Sequence, residues 1–512
     1  MMQKKKSNLF HVILYFILLF SLLLIIYIPS FKNPPRSDYW SAFYVFQQVD
    51  ASPLPPNWPS ILTFDLWQHG TYRPFSHLVP YLEHKLFSPD FIWNHILTFA
   101  FYCASIILLY GLASQLSLDR TITAALLVVF AFLFSHFDIL TWTFQLFSTL
   151  SFCAFLLGFI IFISFLRSGR SLLLIPTGLL FLSGMLCSEV YFFWPLAALI
   201  LPYALSQPRI NPGAGARRVT SLMLGSIYLL YLGVFILHRG TTAGTGPLPA
   251  VTIGEIISAF FLVFFNLLYN GIVITIIPAL SLPLYYNDNM NLGGLLLNWS
   301  PELNKISLWV GIGVALFIGW GVTFLYRRGE RRKVALLSFF MLLYFTNFFT
   351  VSLARLTTNR AIYPLSQFRY QYIPNALLAL MAAVVIGNLI RPGKRLKIII
   401  GLILIPVLAF NIYLSHAYVV DLGKRLTPLR ILLANIRSGL ENGEINERAL
   451  LFIEPGVPDS LPAPSWNKNM ARFMEGNFQW FFPAGELNKF TLSREGSGWI
   501  LSEKDYKIIG NR

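Results

Sequence analysis

Several residues in the first long polar segment of the chain are of types that carry catalysis or bind phosphate. Asp38 supplies a carboxylate that can accept a proton from a hydroxyl group or help to bind a metal ion. Arg73 supplies a planar guanidinium group that suits phosphate oxygens, and His69, Tyr72 and His77 stand close to it in sequence as candidate substrate contacts. The simpler alternatives are that Asp38 stabilises a helix N-terminus and that Arg73 contacts lipid headgroups.

Candidate residues also occur further along the chain. Glu189 follows an apolar run, and an ionisable residue at membrane depth is costly unless it is paired, so it is a candidate catalytic group. Water at the end of that run could equally solvate it. Arg360 and Arg369 fall on the predicted outer side, where arginines require an anionic partner, and Tyr372 stands near Arg369. These three are predicted to bind a substrate phosphate, with contact to lipid headgroups as the alternative.

The composition indicates a membrane protein. Of the 512 residues 55% are hydrophobic and only 12% are charged, unlike soluble domains. Many apolar runs reach about 20 residues, the length that crosses the hydrocarbon core as a helix, so we predict about eleven transmembrane helices. The runs are 9–28, 92–113, 121–134, 146–166, 172–186, 191–205, 219–237, 306–326, 334–353, 370–390 and 396–414.

The distribution of basic residues predicts the topology. The formal charge of +16 comes largely from short clusters between the runs, which is the positive-inside pattern and requires no nucleic acid partner. The N-terminus is then inside, and the first run is an uncleaved span because no small-residue cleavage site follows it. Segment 253–284 must be re-entrant or a hairpin for later clusters to lie inside. The expected location is the cytoplasmic membrane of a bacterium.

Two regions lie outside the membrane under this topology. The first outer loop, 30–91, contains an amphipathic helix that begins at Pro74, with Phe75, Leu78 and Leu82 on its apolar side. Its apolar side would face the membrane. Residues 417–512 are predicted to form a small extracytoplasmic α/β domain, following a transmembrane domain of residues 1–416.

Other signals exclude some functions. The three cysteines form neither a disulfide framework nor a metal-binding spacing. The chain lacks a Gly-Lys-Ser/Thr phosphate-binding motif, which argues against an ATP-driven pump. No cofactor is certain from the sequence, and a divalent metal ion remains open.

The order of these motifs resembles that of the GT-C membrane glycosyltransferases. Asp38 in the first outer loop is followed by His69-x-x-Tyr72-Arg73-Pro74, and Trp93-Asn94-His95 opens the second span. The protein O-mannosyltransferases and the related bacterial branches that use polyprenyl-phosphate sugars look most similar, over about residues 9–390. Later landmarks are Ser188-Glu189, Pro278 with Leu282, and Arg369-Tyr370-x-Tyr372-x-Pro374.

The resemblance implies transfer of a sugar from a polyprenyl-phosphate carrier to an acceptor outside the membrane. Asp38 would act as base or metal-linked acid, and the arginines would hold the carrier phosphate. Many members have a second acidic residue where this chain has Ser37. A second carboxylate would come from Asp65, Glu83, Asp138 or Glu189.

The predicted fold is therefore an all-α polytopic membrane protein with outer amphipathic helices. The expected partners are a polyprenyl-phosphate sugar donor, membrane lipids and a lipid, glycan or protein acceptor. Two alternatives remain: a flippase or transporter of lipid-linked substrates, which would place charged residues near the bilayer midplane, and an inactive scaffold that lacks a connected outer cleft.

Overall fold

A computed structural model describes most of the membrane-embedded part of the chain. The described residues are 2–34, 46, 73–87, 91–142, 145–205, 214–241, 252–254, 257, 301–354, 372–389, 402, 404–424, 430, 450–453, 491–492 and 508–510. The fold there is mostly helical. Its α-helices are α1 Met2–Tyr27, α2 Phe75–Phe87, α3 Ile92–Gln115, α4 Arg120–Ala131, α5 Phe137–Thr141, α6 Leu146–Ser168, α7 Leu174–Cys187, α8 Leu201–Ala204, α9 Ala214–Thr241, α10 Pro301–Arg327, α11 Arg331–Ala354, α12 Tyr372–Leu389 and α13 Leu404–Lys424.

Six helices in the described part are long and apolar enough to cross a membrane, namely those of α1, α3, α6, α9, α11 and α13. A seventh crossing is formed if α4 and residues 134–141 count as one span bent by 60°. Helix α12 and the segment Ser171–Cys187 are apolar but shorter. The chain is thus a multi-pass integral membrane protein. The predicted number of eleven spans stays a prediction, and segment 253–284 lies almost wholly outside the described residues.

One predicted span is not a continuous helix. Over 191–205 the chain forms the 3₁₀ turns Glu189–Tyr191 and Trp194–Leu199 and then the single helical turn α8. Pro195 and Pro202 each stand in the first turn of their element. A proline ring clashes with a preceding helical turn and removes a donor, so it starts a new element instead of continuing the old one.

The two ends of the bundle differ in charge. Arg167, at the end of α6, donates a hydrogen bond to the backbone oxygen of Gln115 at the end of α3. Gly387, near the end of α12, lies against Asp119, which caps α4. These contacts bring Arg120, Arg167 and Arg170 to one end, here called the basic end.

The α10–α11 turn joins the same end. Gly321 of α10 lies against Val385 of α12, close to the end of both helices. The first half of α1 is also on this side, because the Tyr15 hydroxyl donates to the backbone oxygen of Ala124 in α4 at 2.8 Å. The turn adds Arg327, Arg328, Arg331, Arg332 and Lys333. Among the described residues, Arg120, the pair Arg167 and Arg170, and the five cations of the α10–α11 turn therefore share one end.

The opposite end carries α2 and is called the α2 end. His95 Nε2, in the first turn of α3, lies 3.2 Å from the backbone oxygen of Asn33, shortly after α1. Helices α3 and α6 end together at the basic end, so both begin at the α2 end, where α7 finishes at Cys187. Helix α2 packs against α3, α6 and α7. The first polar segment and the Ser188-Glu189 pair thus belong to the same side of the bundle.

Aromatic rings fill the contact between α6 and α7, which lie unusually close. Gly184 leaves room for the ring of Phe155, and Gly158 leaves room for the ring of Phe181. The two rings stack with centroids 5.3 Å apart, and Tyr191 stacks on Phe155 at 4.6 Å. Because Tyr191 belongs to the turn that begins at Glu189, this contact fixes the path of the backbone at the α2 end.

Among the described residues, three short strands follow the membrane helices. Leu450–Ile453 pairs in parallel with Thr491–Leu492 and antiparallel with Ile508–Gly510. The mixed α/β domain over 417–512 and its boundary stay predictions, and α13 continues through that boundary to Lys424.

Candidate functional site

Helix α2 turns its polar side toward the bundle. It begins directly after Pro74 and contains Pro80, as the sequence predicts. Leu82 and Leu86 are exposed, with exposed fractions of 45% and 72%. The buried side chains are those of Ser76, His77, Pro80, Tyr81, Glu83 and His84. A helix that buries polar groups and exposes leucines suits a position between protein and lipid.

An aromatic cluster holds the middle of α2. The ring of Phe46, from the first loop, stacks on His84 at 5.8 Å and meets Tyr81 edge-on at 5.4 Å. Burial, with the nearby Lys85 cation, lowers the pKa of His84 to about 3. His84 is therefore neutral at physiological pH and packs as an aromatic ring.

Arg73 and His77 open this helix. Arg73 is partly exposed just before α2, and its backbone oxygen accepts a 2.8 Å hydrogen bond from the Ser76 hydroxyl. His77 is buried, with an exposed fraction of 5%. The predicted roles of these two residues in substrate binding are compatible with their place at the α2 end and stay predictions.

Glu189 starts a turn at the same end. Helix α7 stops at Cys187, Ser188 is extended, and the Ser188 hydroxyl accepts from the backbone nitrogen of Val190 at 3.4 Å. The position of the Glu189 side chain lies outside the description. What the fold brings together is the backbone of this turn and helix α2, since α2 packs against α7.

Tyr372, predicted to bind phosphate, lies inside the bundle. It is the first residue of α12 and has an exposed fraction of 1%. Its hydroxyl is hydrogen-bonded to the Ser105 hydroxyl, and its ring stacks on Tyr102 at 5.4 Å. In this conformation Tyr372 links α12 to α3, and any contact with a phosphate would require it to leave Ser105.

A buried polar network beside Tyr372 is absent from the sequence prediction. The Tyr102 hydroxyl donates to the backbone oxygen of Ala131 at 2.8 Å and accepts from His136 Nδ1 at 2.8 Å. Asn375 Nδ2 donates to His136 Nε2 at 2.9 Å and to the Ser135 hydroxyl at 2.8 Å. These partners assign the proton of His136 to Nδ1. The network joins α3 and α12 to the bend after α4. Its one sequence signal is the presence of His136 and Asn375 in apolar surroundings.

Glu83 is the most unusual side chain of this end. Its exposed fraction is 3%, and neither carboxylate oxygen has a hydrogen-bond partner among the described residues. Burial raises the pKa of this carboxyl well above its usual value of 4.5. The Asn94 amide counteracts the rise in pKa, although the two groups do not meet the geometry of a hydrogen bond. From the sequence, Glu83 is only one of several candidates for the second carboxylate, because its position in a helix does not show that it is buried.

The shifted pKa of Glu83 predicts a pH-dependent stability. The folded protein retains a proton that the unfolded chain releases near pH 4.5, so the free energy of unfolding falls as pH rises above that value. Glu83→Gln removes this contribution. We expect the stability of the variant relative to the parent to increase between about pH 5 and about pH 8, measured by thermal unfolding in detergent. A difference that does not change with pH would mean that the carboxyl is solvated or paired.

The remaining predicted site residues lie outside the described part of the chain. They are Asp38, His69, Tyr72, Arg360 and Arg369. Their roles stay predictions from sequence. Among the described residues, no group of three His, Cys, Asp or Glu side chains could hold a metal ion.

Comparisons with known proteins give limited similarity. No protein-family model and no curated protein sequence matches the chain. A crystal structure of the Archaeoglobus fulgidus oligosaccharyltransferase tethered with an acceptor peptide is 13% identical, with a TM-score of 0.40. An archaeal oligosaccharyltransferase from the same organism, in complex with an inhibitory peptide and a dolichol-phosphate, is 14% identical, with a TM-score of 0.38. Each match covers 78% of this chain and 55% of the other, so the chain spans about half the length of these proteins. At these TM-scores the likeness carries no argument about function.

Proposed function

We propose that this protein transfers a sugar from a polyprenyl-phosphate donor to an acceptor at the α2 end of the bundle. The burial pattern of α2 carries the proposal: its polar side faces the bundle, while Leu82 and Leu86 face outward. Such a helix suits the membrane surface. A polyprenyl-phosphate donor presents its phosphate and sugar at that depth, because its polar head stays at the surface while its tail lies in hydrocarbon.

The α2 end is the extracytoplasmic side in this proposal. The support is that the described basic residues Arg120, Arg167 and Arg170 share the opposite end with the five cations of the α10–α11 turn. Clusters of lysine and arginine remain on the cytoplasmic side of membrane proteins. The donor then enters the α2 end from the outer leaflet, and its acceptor is a lipid, glycan or protein outside the cell membrane.

The chemical step is a displacement at the anomeric carbon with inversion. Asp38 takes the proton of an acceptor hydroxyl, and the hydroxyl oxygen forms a bond to the anomeric carbon. The bond from that carbon to the phosphate oxygen breaks, and its electron pair leaves with polyprenyl phosphate. Arg73, together with Arg360 or Arg369, stabilises the negative charge that develops on the phosphate. If Tyr372 contributes, its hydroxyl exchanges Ser105 for a phosphate oxygen.

Glu189 and three residues near Arg73 complete the proposed site. We assign Glu189 as the second carboxylate, because it begins a turn next to the helix that Arg73 precedes. This chain has Ser37 at the position where many GT-C members have their second acidic residue. His69, Tyr72 and His77 contact the substrate. This arrangement does not require a metal ion, although a divalent cation held by residues of the first loop is compatible with it.

Transport without catalysis fits the described side chains less well. Among them Glu83 is the single buried Asp, Glu, Lys or Arg, and it lies on α2 instead of within a span. A transporter of an anionic lipid-linked substrate would be expected to place charged groups near the bilayer midplane. Transfer at the end of the bundle is therefore the better interpretation.

The proposal predicts that Arg73→Gln weakens use of the donor. Loss of charge-assisted hydrogen bonds to phosphate should raise KM for a polyprenyl-phosphate sugar by about tenfold or more. The measurement is transfer by purified protein in proteoliposomes that contain polyprenyl-phosphate mannose, glucose or arabinose.

Lys32→Gln is the matched control, because it removes an exposed cation from the same end of the bundle. It should leave KM nearly unchanged. Equal effects of the two variants would indicate that Arg73 only attracts anionic lipids and does not bind the donor phosphate specifically. A parent protein without transfer activity on any donor would favour the scaffold or flippase over the transferase.

A further inference from the structure

Aromatic rings on α10 lead directly to the arginines of the α10–α11 turn. The ring centroids of Phe317 and Trp320 are 6.1 Å apart, and those of Trp320 and Phe324 are 5.5 Å apart. The guanidinium group of Arg328 lies over the Phe324 ring, 4.2 Å from its centroid. The four residues follow each other at steps of three or four, so they line one face of α10 and its end. They are called the α10 stripe.

The α10 stripe faces away from the core of the bundle. Phe317 and Trp320 have exposed fractions of 42% and 53%, and the neighbouring Leu316 is 67% exposed. The other side of the helix is buried, with Gly321 against Val385 of α12. Because α10 contains a predicted span, exposed rings on it lie at the depth of lipid acyl chains. The stripe therefore contacts lipid along its length and ends in a cation.

The turn that follows the stripe presents arginines without acidic partners. Gly329 has a φ of 73°, which lets the chain leave α10 in a left-handed conformation and start α11. Among the described residues, the ion pair of this turn joins Lys333 to Glu330 at 3.2 Å. Four arginines of the turn are exposed and have no carboxylate partner in the described part of the chain: Arg327, Arg328, Arg331 and Arg332.

The helices themselves account for only part of this charge. Arg327 and Arg328 stand at the end of α10, where the macrodipole favours cations. Arg331 and Arg332 begin α11, where the macrodipole disfavours cations, and the first turn of α11 contains no acidic residue. The positive-inside pattern explains why cations stay on this side of the membrane. A bound anion would in addition offset the repulsion between the two groups of arginines.

The combined chemistry matches a phospholipid with an anionic headgroup. Guanidinium groups bind phosphate oxygens through paired N–H donors, and basic residues at the ends of spans bind acidic headgroups. A zwitterionic headgroup carries its own ammonium cation, which the arginines repel. Free phosphate would use the arginines but not the rings. An anionic lipid uses both, because its phosphate lies at the turn while its acyl chain lies along the stripe.

We propose that the α10 stripe and the arginines of the α10–α11 turn form a binding site for an anionic phospholipid. The lipid belongs to the leaflet at the basic end. Arg328, Arg331 and Arg332 bind its phosphate, and one acyl chain lies along Phe317 and Trp320. The site is at the opposite end of the bundle from α2, so it does not depend on the proposed sugar transfer.

The test uses Trp320 to report which lipid lies beside it. The full-length protein is reconstituted into phosphatidylcholine vesicles with increasing fractions of brominated phosphatidylglycerol or brominated phosphatidylcholine, since bromine quenches tryptophan at short range. Each protein is also prepared with Trp320→Phe, and the difference gives the quenching of Trp320 alone. We expect brominated phosphatidylglycerol to occupy this position at least about tenfold more readily, because each basic residue near the surface contributes about fivefold.

Charge variants separate the site from general attraction. Arg328→Gln should lower the preference for phosphatidylglycerol by about fivefold, and the pair Arg331→Gln and Arg332→Gln should nearly remove it. The pair Arg167→Gln and Arg170→Gln is the matched control, because it removes two exposed cations from the same end but from α6. This control should leave the preference nearly unchanged. Circular dichroism checks that each variant keeps the helical content of the parent.

Phe324→Leu tests the link between the rings and the arginines. It removes the ring on which Arg328 lies and should lower the preference without any change of charge. It also gives a result that does not depend on the folding of the arginine variants. An unchanged preference in Phe324→Leu would mean that the stripe does not position Arg328, and the proposed site would fail.

Three other outcomes would overturn the proposal. Equal quenching of Trp320 by the two brominated lipids would show that the site does not select an anionic headgroup. Equal loss of preference in the two arginine pairs would show that only the total charge of the basic end matters. Inorganic phosphate, compared with sodium chloride at the same ionic strength, should not lower the preference. If it does, the arginines bind phosphate without the acyl chain, and a lipid is not the specific ligand.

Discussion

Replacing Asp38 by asparagine is expected to abolish sugar transfer while the protein inserts and folds normally. Asparagine keeps the shape of the side chain but cannot accept a proton from the acceptor hydroxyl. Removal of a general base typically lowers the rate by about 10²–10⁴-fold. The loss should appear in kcat, with KM for the polyprenyl-phosphate donor nearly unchanged, because the arginines and not Asp38 are assigned to its phosphate. The measurement is transfer from the polyprenyl-phosphate sugar that the parent uses best.

Asp50→Asn is the control for this substitution, since it removes a carboxylate from the same loop that has no assigned role. It should retain most of the activity of the parent. Undiminished transfer by Asp38→Asn would remove Asp38 from the mechanism. Loss of transfer in both variants would indicate that the charge of the loop, and not one base, is required.

The features that could be predicted from sequence are those that depend on local pattern. Helix α2 is an example: Pro74 fits the first turn, and leucines at helical spacing give the apolar side. The positions of most spans follow from their length and hydropathy in the same way. The run at 191–205 does not form the continuous helix that its hydropathy predicts. Pro195 and Pro202 each start a new element, and hydropathy takes no account of this backbone effect.

Features that depend on contacts between distant segments could not be predicted. Glu83 lies between Leu82 and His84 on a helical turn, and only the packing of α2 against the bundle shows that it is buried. Asn375 and His136 are separated by 239 positions, so nothing local indicates their hydrogen bond. The sequence thus predicts residue types suited to catalysis, but it does not show that Glu83 is buried.

The close contact between α6 and α7 also depends on side chains that are far apart in sequence. It leads to a prediction about stability. An alanine at Gly184 would place its Cβ 2.1 Å from the nearest ring carbon of Phe155, a severe clash. That ring cannot move aside easily, because Phe181 and Tyr191 stack against it. Overpacking of this kind costs about 1–3 kcal/mol. Gly184→Ala should therefore lower the thermal midpoint and, through Tyr191, reduce transfer by disturbing the turn that starts at Glu189.

Gly225→Ala tests whether this cost comes from packing. Gly225 lies within α9, where an added Cβ meets nothing within 4 Å. Alanine is the better helix former by about 1 kcal/mol, so this variant should be neutral or slightly more stable than the parent. Thermal unfolding of both variants in the same detergent gives the comparison. If Gly184→Ala is as stable as Gly225→Ala, α6 and α7 have room to separate, and the Phe155–Tyr191 stack does not fix the backbone at Glu189. A lower thermal midpoint for Gly184→Ala alone, together with reduced transfer, would show that the packing of α6 against α7 supports the site at the α2 end.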